Sequence, residues 1–185
     1  VTNFSIFDLA YAKAQGSQTK NLGRLASISR REFEESETIV FSTTAPGLEY
    51  AGLLIEHALL LRTNRAGRVY ANFGKLSSLR PIVDRYLRIA DMSESVFVFG
   101  ESDWKPPRHP NIRVVHLEHH FRIAHEWFLI VDSPTLKIAL LARVDNESDP
   151  ATGKRRLQAM KTSEPGIVTH LAEAVEGLID WSLAA

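Results

Sequence analysis

The sequence predicts an α/β domain, with a mixed, partly parallel central sheet and flanking helices in a three-layer-like arrangement. Three observations carry that prediction. β-branched and aromatic runs alternate with amphipathic helical segments through residues 1–100, the later strands follow one another without long helices, and 185 residues at 44% hydrophobic content suit one core rather than two. Residues 1–185 therefore read as a single domain, without internal repeats or low-complexity linkers.

Phe4, Phe7, Leu9 and Tyr11 have the spacing of an amphipathic helix, and Gln15-Gly16-Ser17-Gln18 reads as its exit. A second helix is expected from Asn21 to Glu35, with Leu22, Leu25, Ile28 and Phe33 inward. Thr38–Thr43 is a buried strand entering a turn at Ala45-Pro46-Gly47. Leu53–Leu61 reads as an apolar helix, Asn64–Gly67 as a turn and Arg68–Phe73 as a strand. Ser77 or Ser78 caps the next helix, with Pro81 in its first turn and Ile82, Tyr86 and Ile89 on one face. Val96–Phe99 is the following strand, closed by Gly100. This succession of strands and helices predicts parallel pairing through crossovers. Beyond it, Trp104–Pro110 is a stiff proline-rich loop, and Ile112–Leu117, Trp127–Val131 and Leu136–Val144 are strands, the last two joined as a hairpin at Ser133-Pro134. Asp145–Lys154 is expected as a surface loop, Arg156–Lys161 as a further strand, and Ile167–Leu183 as a closing helix after Pro165-Gly166.

Composition mostly excludes. The 22 Lys+Arg offset the 22 Asp+Glu, so no strong field of either sign draws in nucleic acid or an anionic membrane. The absence of Cys removes thiol catalysis, Cys-ligated zinc and disulfide switching, and it fits a reducing compartment. The first residues carry Asp8 within an apolar stretch and no basic leader, so neither a signal peptide nor an anchor is expected there, and a cytoplasmic location is.

Four patterns invite chemistry. Gly47 and Gly52 have phosphate-loop spacing between a strand and a helix, but Leu53 and Leu54 stand where Lys and Ser or Thr are required. An ordinary turn or a degenerate nucleotide fold remains. His116, His119, His120, His125 and Glu126 fall within eleven residues, which fits a metal site, general acid/base work, a pH-responsive or ligand-facing surface, or merely solvated imidazoles. Trp104 and Trp127, with Phe97, Phe99, Tyr70 and Phe73, either line a pocket for a flat ligand or pack in the core. Lys154-Arg155-Arg156 either grips an anionic ligand or begins a solvated strand. No Gly-x-Ser-x-Gly elbow and no recognisable carboxylate pair is present, so no catalytic residues are assigned and the chain is expected not to be an enzyme.

Val96-Phe-Val-Phe-Gly-Glu-Ser-Asp-Trp104, Pro106-Pro107, His125-Glu-Trp-Phe-Leu-Ile-Val131 and Leu140-Leu-Ala-Arg143, in that order and spacing, resemble the DICT sensory domain. Leu25-Ala-Ser-Ile-Ser29 with Glu32, Glu34 and Glu35, and Arg155-Arg156-Leu157 with the closing helix, extend the resemblance over nearly the whole chain. Leu157-Gln-Ala-Met160 departs from it, standing where many members have an aromatic segment ending in Trp. The resemblance implies a bacterial, non-catalytic signalling module of α/β type, responding to light or another stimulus. It would bind a small ligand or partner and relay the signal to a histidine kinase, a diguanylate cyclase or another cyclic-di-GMP enzyme, or a transcription regulator on another chain. It names no cofactor. Trp104, His125, Glu126 and Trp127 are the expected ligand-binding residues, unless the last three instead fix a strand junction. A degenerate nucleotide-binding protein or a metal-dependent enzyme is the alternative. A homodimer through Phe4, Phe7, Trp181 and Leu183 on the terminal helices is a further expectation.

Overall fold

The computed structural model of the chain describes residues 2–16, 18–62, 64–148 and 153–184. Its elements, in chain order, are α1 (Ile6–Ala14), β1 (Lys20–Arg24), α2 (Arg30–Glu35), β2 (Thr38–Thr43), α3 (Ala45–Leu60), β3 (Asn64–Lys75), α4 (Val83–Asp91), β4 (Ser93–Glu101), β5 (Ile112–His116), β6 (Trp127–Asp132), β7 (Lys137–Ser148), β8 (Arg155–Thr162) and α5 (Pro165–Ala184), with short 3-10 turns at Leu25–Ser27, Leu76–Ile82 and Arg122–His125. The strands form one eight-stranded sheet in the order β1-β2-β8-β7-β6-β3-β4-β5.

The mixed α/β sheet agrees with the sequence prediction. Its centre is antiparallel, from β2 through β8, β7 and β6 to β3, and each end carries parallel strands: β1 beside β2, and β4 and β5 beside β3. The predicted parallel pairing holds between β3 and β4, but β2 and β3 do not pair. Instead β6, β7 and β8 lie between β2 and β3, and α3 crosses over the strands that separate them. A strand-helix-strand pattern fixes a crossover but not the number of strands it passes.

Side chains alternate across the sheet and create two cores. Phe41, Ala71, Val98, Leu129 and Leu140 face α2, α3 and α4, where Phe33, Leu48, Ile55, Tyr86 and Ile89 meet them. Tyr70, Phe99, Phe128, Ile130 and Met160 face the other way, toward Ile6 and Phe7 of α1 and Val168, Leu171 and Val175 of α5.

Several local expectations need correction. The helix read over Asn21–Glu35 is a strand, a 3-10 turn and a short helix. Gly23, at φ 73°, interrupts any helix there, and the backbone before it pairs with β2. Helix begins again only at α2, where the Ser29 hydroxyl accepts from the Glu32 N–H at 3.1 Å. Pro46 does not mark a turn but occupies the first turn of α3, which starts eight residues before the expected Leu53. The presumed turn Asn64–Gly67 belongs to β3, and Pro81 lies within a 3-10 turn preceding α4 rather than in a capped α-helix. β7 extends to Ser148, taking in the start of the expected loop, and residues 149–152 lie outside the described residues.

Candidate functional site

The proline-rich segment between β4 and β5 builds a groove of about 770 Å³ at the β5 edge of the sheet. Trp104, Pro106, Pro107 and Pro110 supply one wall, Ile112 and Val114 on one face of β5 supply another, and Lys105, Arg108, His109 and His116 stand around them. Flat apolar surface beside cationic and imidazole groups suits a planar ligand with a negative edge.

The wall is fastened at both ends. Near its start, the Asp103 carboxylate accepts from the Ser77 N–H at 2.9 Å and from the Ser77 hydroxyl, and these bonds hold Asp103 below its ordinary pKa. The Arg80 guanidinium lies 5.5 Å from the centre of the Trp104 ring. At the far end, His109 Nδ1 accepts from the Asn111 N–H at 3.0 Å, which leaves Nε2 to donate to Asp91 at 2.7 Å. Asn111 Nδ2 then donates to the Ala90 carbonyl at 2.9 Å, tying the loop to the end of α4. Gly100 serves the same purpose from below. A Cβ there would stand 3.0 Å from the Leu76 nitrogen, so glycine lets β4 run this close to the turn after β3 without displacing it.

The four residues singled out from sequence do not share this groove. Trp104 lines it; His125, Glu126 and Trp127 do not. His125 is exposed, with Nε2 2.8 Å from the His119 carbonyl oxygen. Glu126 is buried and turned toward α1, where its carboxylate accepts from the Ser5 hydroxyl and from the Phe7 N–H at 3.2 Å. Ser5 also accepts from the Asp8 N–H at 3.0 Å, so Glu126 fixes the capping residue of α1 itself. Trp127 points to the opposite face and packs on α3, 3.2 Å from where a Cβ of Gly52 would be. One turn further along α3, buried Glu56 accepts from Arg85 and from the Tyr86 hydroxyl at 3.3 Å. Burial raises Glu56 above the ordinary carboxylate range and Tyr86 well above the ordinary phenol value.

The remaining patterns resolve similarly. Tyr70 stacks on Phe97 with ring centres 5.1 Å apart and Phe99 meets Phe128 edge-on, all on the α1 and α5 face, while Phe73 packs on Tyr86 on the other. The period of two along the strands therefore divides the aromatics instead of gathering them into a pocket. Gly47 and Gly52 lie within helix α3, so no loop is present there to cradle phosphates, and the turn reading falls with it. His119 Nδ1 lies 2.8 Å from Glu101, His120 is 3.6 Å from Glu118, and no group of three metal-ligating side chains occurs among the described residues. Phe7, placed on a dimer surface by sequence, is fully buried in the protomer, and Trp181 and Leu183 have side chains outside the described residues. His109 escapes notice in the sequence because the denser His116–His120 run draws the eye; its one signal is its position between the prolines that end the loop.

No helix among the described residues is long and apolar enough to cross a membrane. No curated protein matches the sequence. The fold is similar to part of the polyphosphate kinase from Porphyromonas gingivalis, with a TM-score of 0.54 at 14% identity over 81% of this chain and 29% of that one. Identity this low speaks of fold alone, and the chain spans well under half of that kinase. Residues 54–145, from the middle of α3 to β7 and including the whole Trp104 groove, match DICT, the sensory domain in diguanylate cyclases and two-component systems, and over that segment the chain is shown to resemble this family.

Proposed function

We propose that residues 1–185 form one non-catalytic sensory module, acting in the cytoplasm. A small ligand or a partner protein engages the Trp104 groove, and the signal passes to a histidine kinase, a cyclic-di-GMP enzyme or a transcription regulator, in response to light or another stimulus. The observation that carries this reading is the groove itself. It lies within the segment that matches a sensory family, and prolines and side-chain bonds hold it open before any ligand arrives. Such preorganisation lowers the ordering cost of binding. Packing supports that extent, since β8 and β2 continue the sheet beyond β7, and α1 and α5 cover the core that Phe128 and Leu141 begin.

In this reading Trp104 contacts the ligand, while Glu126, just before β6, and Trp127, its first residue, hold α1 and α3 on opposite faces of the sheet. His125 sits at the turn that leads into that strand. A ligand that prefers one arrangement of these helices by a few kcal/mol redistributes the populations, and nothing more is needed for a relay.

Thermal unfolding of the whole chain with flavins, nucleotides and divalent metal salts tests the proposal, since a ligand of the folded state raises the midpoint according to RT ln(1 + [L]/Kd). A planar anionic compound should raise it in the wild type and fail to do so in Trp104→Ala. A rise produced by a divalent metal alone, and lost in His119→Ala, would instead favour the metal-dependent alternative.

A further inference from the structure

We propose that the occupant of the Trp104 groove is an extended, acidic segment of a partner protein, added as a further strand along the open edge of β5. The inference rests on the reading that this groove is the place of engagement, and it names what engages it. β5 ends the sheet and pairs with β4 alone. The Val96 N–H donates to the Asn111 carbonyl at 2.7 Å and the Leu117 N–H to the Gly100 carbonyl at 3.0 Å, so Asn111 and Leu117 turn these groups toward β4. Backbone direction alternates along a strand as side chains do. Arg113 and Val115 therefore face β4 as well, while Ile112, Val114 and His116 turn their backbone to the open edge. Ile112 donates its N–H to the His109 carbonyl at 3.1 Å, but no bond among the described residues answers the outward N–H and C=O of Val114. The side chains of the same three residues line the groove. A strand laid beside them would meet donors and acceptors along its backbone and set alternate side chains into the groove.

The two edges of the sheet differ in how they treat such an approach. β1 contains Gly23 at φ 73° and shifts register against β2, and an irregular edge discourages pairing. β5 keeps unbroken register with β4 and carries three β-branched side chains, Ile112, Val114 and Val115. Charge then selects the partner. The side chains of Lys105 and Arg108 stand exposed at the groove without an ion pair or hydrogen bond among the described residues, and no lining residue is acidic. The acids that border it are engaged: Asp103 accepts from Ser77, Asp91 meets His109 at 2.7 Å, and Glu101 meets His119 at 2.8 Å. Carboxylates on the added segment would answer both cations. A second copy of this chain fits less well, because pairing β5 with β5 about a twofold axis would bring two sets of the same cations together.

Fluorescence anisotropy of a labelled peptide, with valine and threonine alternating over the length of β5 and a glutamate at each end, tests the proposal on the full chain. The peptide should bind once per chain, and a version with lysine at each end should bind roughly tenfold more weakly. Replacing both cations, Lys105→Gln with Arg108→Gln, should cost the glutamate peptide a similar factor. N-methylation at alternate peptide residues should abolish binding in one set and spare it in the other, because only one set turns its N–H toward β5. Val114→Pro removes an outward N–H and leaves the ladder with β4, so it should keep the wild-type circular dichroism and lose the peptide. Equal binding of the two peptides, or equal effects of the two N-methylated sets, would overturn the assignment. So would light scattering that shows a dimer in the wild type and a monomer in Val114→Pro, which would put a second copy on the edge. Failure of the glutamate peptide to bind would overturn it too, and a planar anionic compound that still bound through Trp104 would leave the reading of the groove standing without it.

Discussion

On the face of the sheet that carries α1 and α5, charge and hydrogen bonds tie the helices to the strands, whereas on the face that carries α2, α3 and α4 Glu56 ties α3 to α4, Lys161 ties the end of α2 to β8, and the apolar packing stops short of both sheet edges. On the first face Asp8 pairs with Arg143 at 2.6 Å and Arg122 at 2.7 Å, Glu126 caps α1, and Glu176 of α5 accepts from the Tyr70 hydroxyl at 2.6 Å and from Arg68. Burial works to raise the Asp8 carboxyl, but the two arginines hold it below its ordinary value. Burial and the Glu176 carboxylate push the Tyr70 phenol up. On the second face, Trp104 and Ile112 at one edge, and Leu25 and Leu54 at the other, are packed against the core without being closed over. The Trp104 groove opens on that face. The difference teaches where change can be accommodated: a face closed by polar contacts keeps its helices in register, while a face with uncovered apolar margins leaves room for a ligand.

The strongest way to break this comparison is to release the tied face. Glu126→Ala leaves the Ser5 hydroxyl and the Phe7 N–H buried without their acceptor, and we expect a loss of about 3 kcal/mol in urea unfolding. Amide exchange should rise across α1 and stay unchanged across α4. A loss below about 1 kcal/mol would mean that Glu126 does not anchor that face.

Lys161 tests the α2 face by pH. Its side chain is buried, donates to the Ser36 carbonyl and lies 5.7 Å from the centre of the Phe33 ring. Burial lowers its pKa to about 8, against Glu34 and Glu37, which act to raise it. The unfolded chain therefore holds the proton up to about pH 10.5 while the folded chain releases it near 8, so the unfolded state binds more protons between those values. Stability from this group should rise with pH through that window, by about 3 kcal/mol. Lys161→Met should remove that rise, and should leave the protein at least as stable as the wild type at pH 7. A rise of the same size in the variant would assign it to other groups.

How much of this was legible depends on whether a feature is local. α1, β2, β4, the β6–β7 hairpin and α5 were readable because each carries its own period and its own stop, such as Ser133-Pro134 between β6 and β7. The position of β3 was not, because strands from far along the chain insert beside it. β1 was read as helix because edge pairing with β2, which decided it, leaves no trace in its own residues. At the site, Trp104 stood out as an aromatic within a loop of prolines, but the direction of Glu126 depended on the distant Ser5, and no spacing within residues 125–127 encodes that.

Gly100 sharpens the comparison from the open face. Its replacement by Ala sets a Cβ 3.0 Å from the Leu76 nitrogen and 3.2 Å from the Lys75 carbonyl carbon, backbone atoms that can yield only if the turn after β3 shifts. We expect a loss of about 2 kcal/mol, the range of small overpacking changes. The shift should appear in the fluorescence of Trp104, because the turn that would be displaced carries Ser77, which holds Asp103. An unchanged emission with unchanged stability would mean that the β4 junction is looser than the contact implies.

Trp104→Ala should have the smallest effect on stability and the largest on binding. The ring is only half-buried and belongs to the margin of the core, so its truncation should cost about 1 kcal/mol, well below the 3–5 kcal/mol of a fully packed Trp. The loop should keep its course, since Asp103, His109 and Asn111 retain their partners without it. The groove, however, would lose its one aromatic wall. If unfolding in urea showed a loss as large as that of Glu126→Ala, Trp104 would be a structural residue, and the open margin at β5 would be as closed as the face behind it.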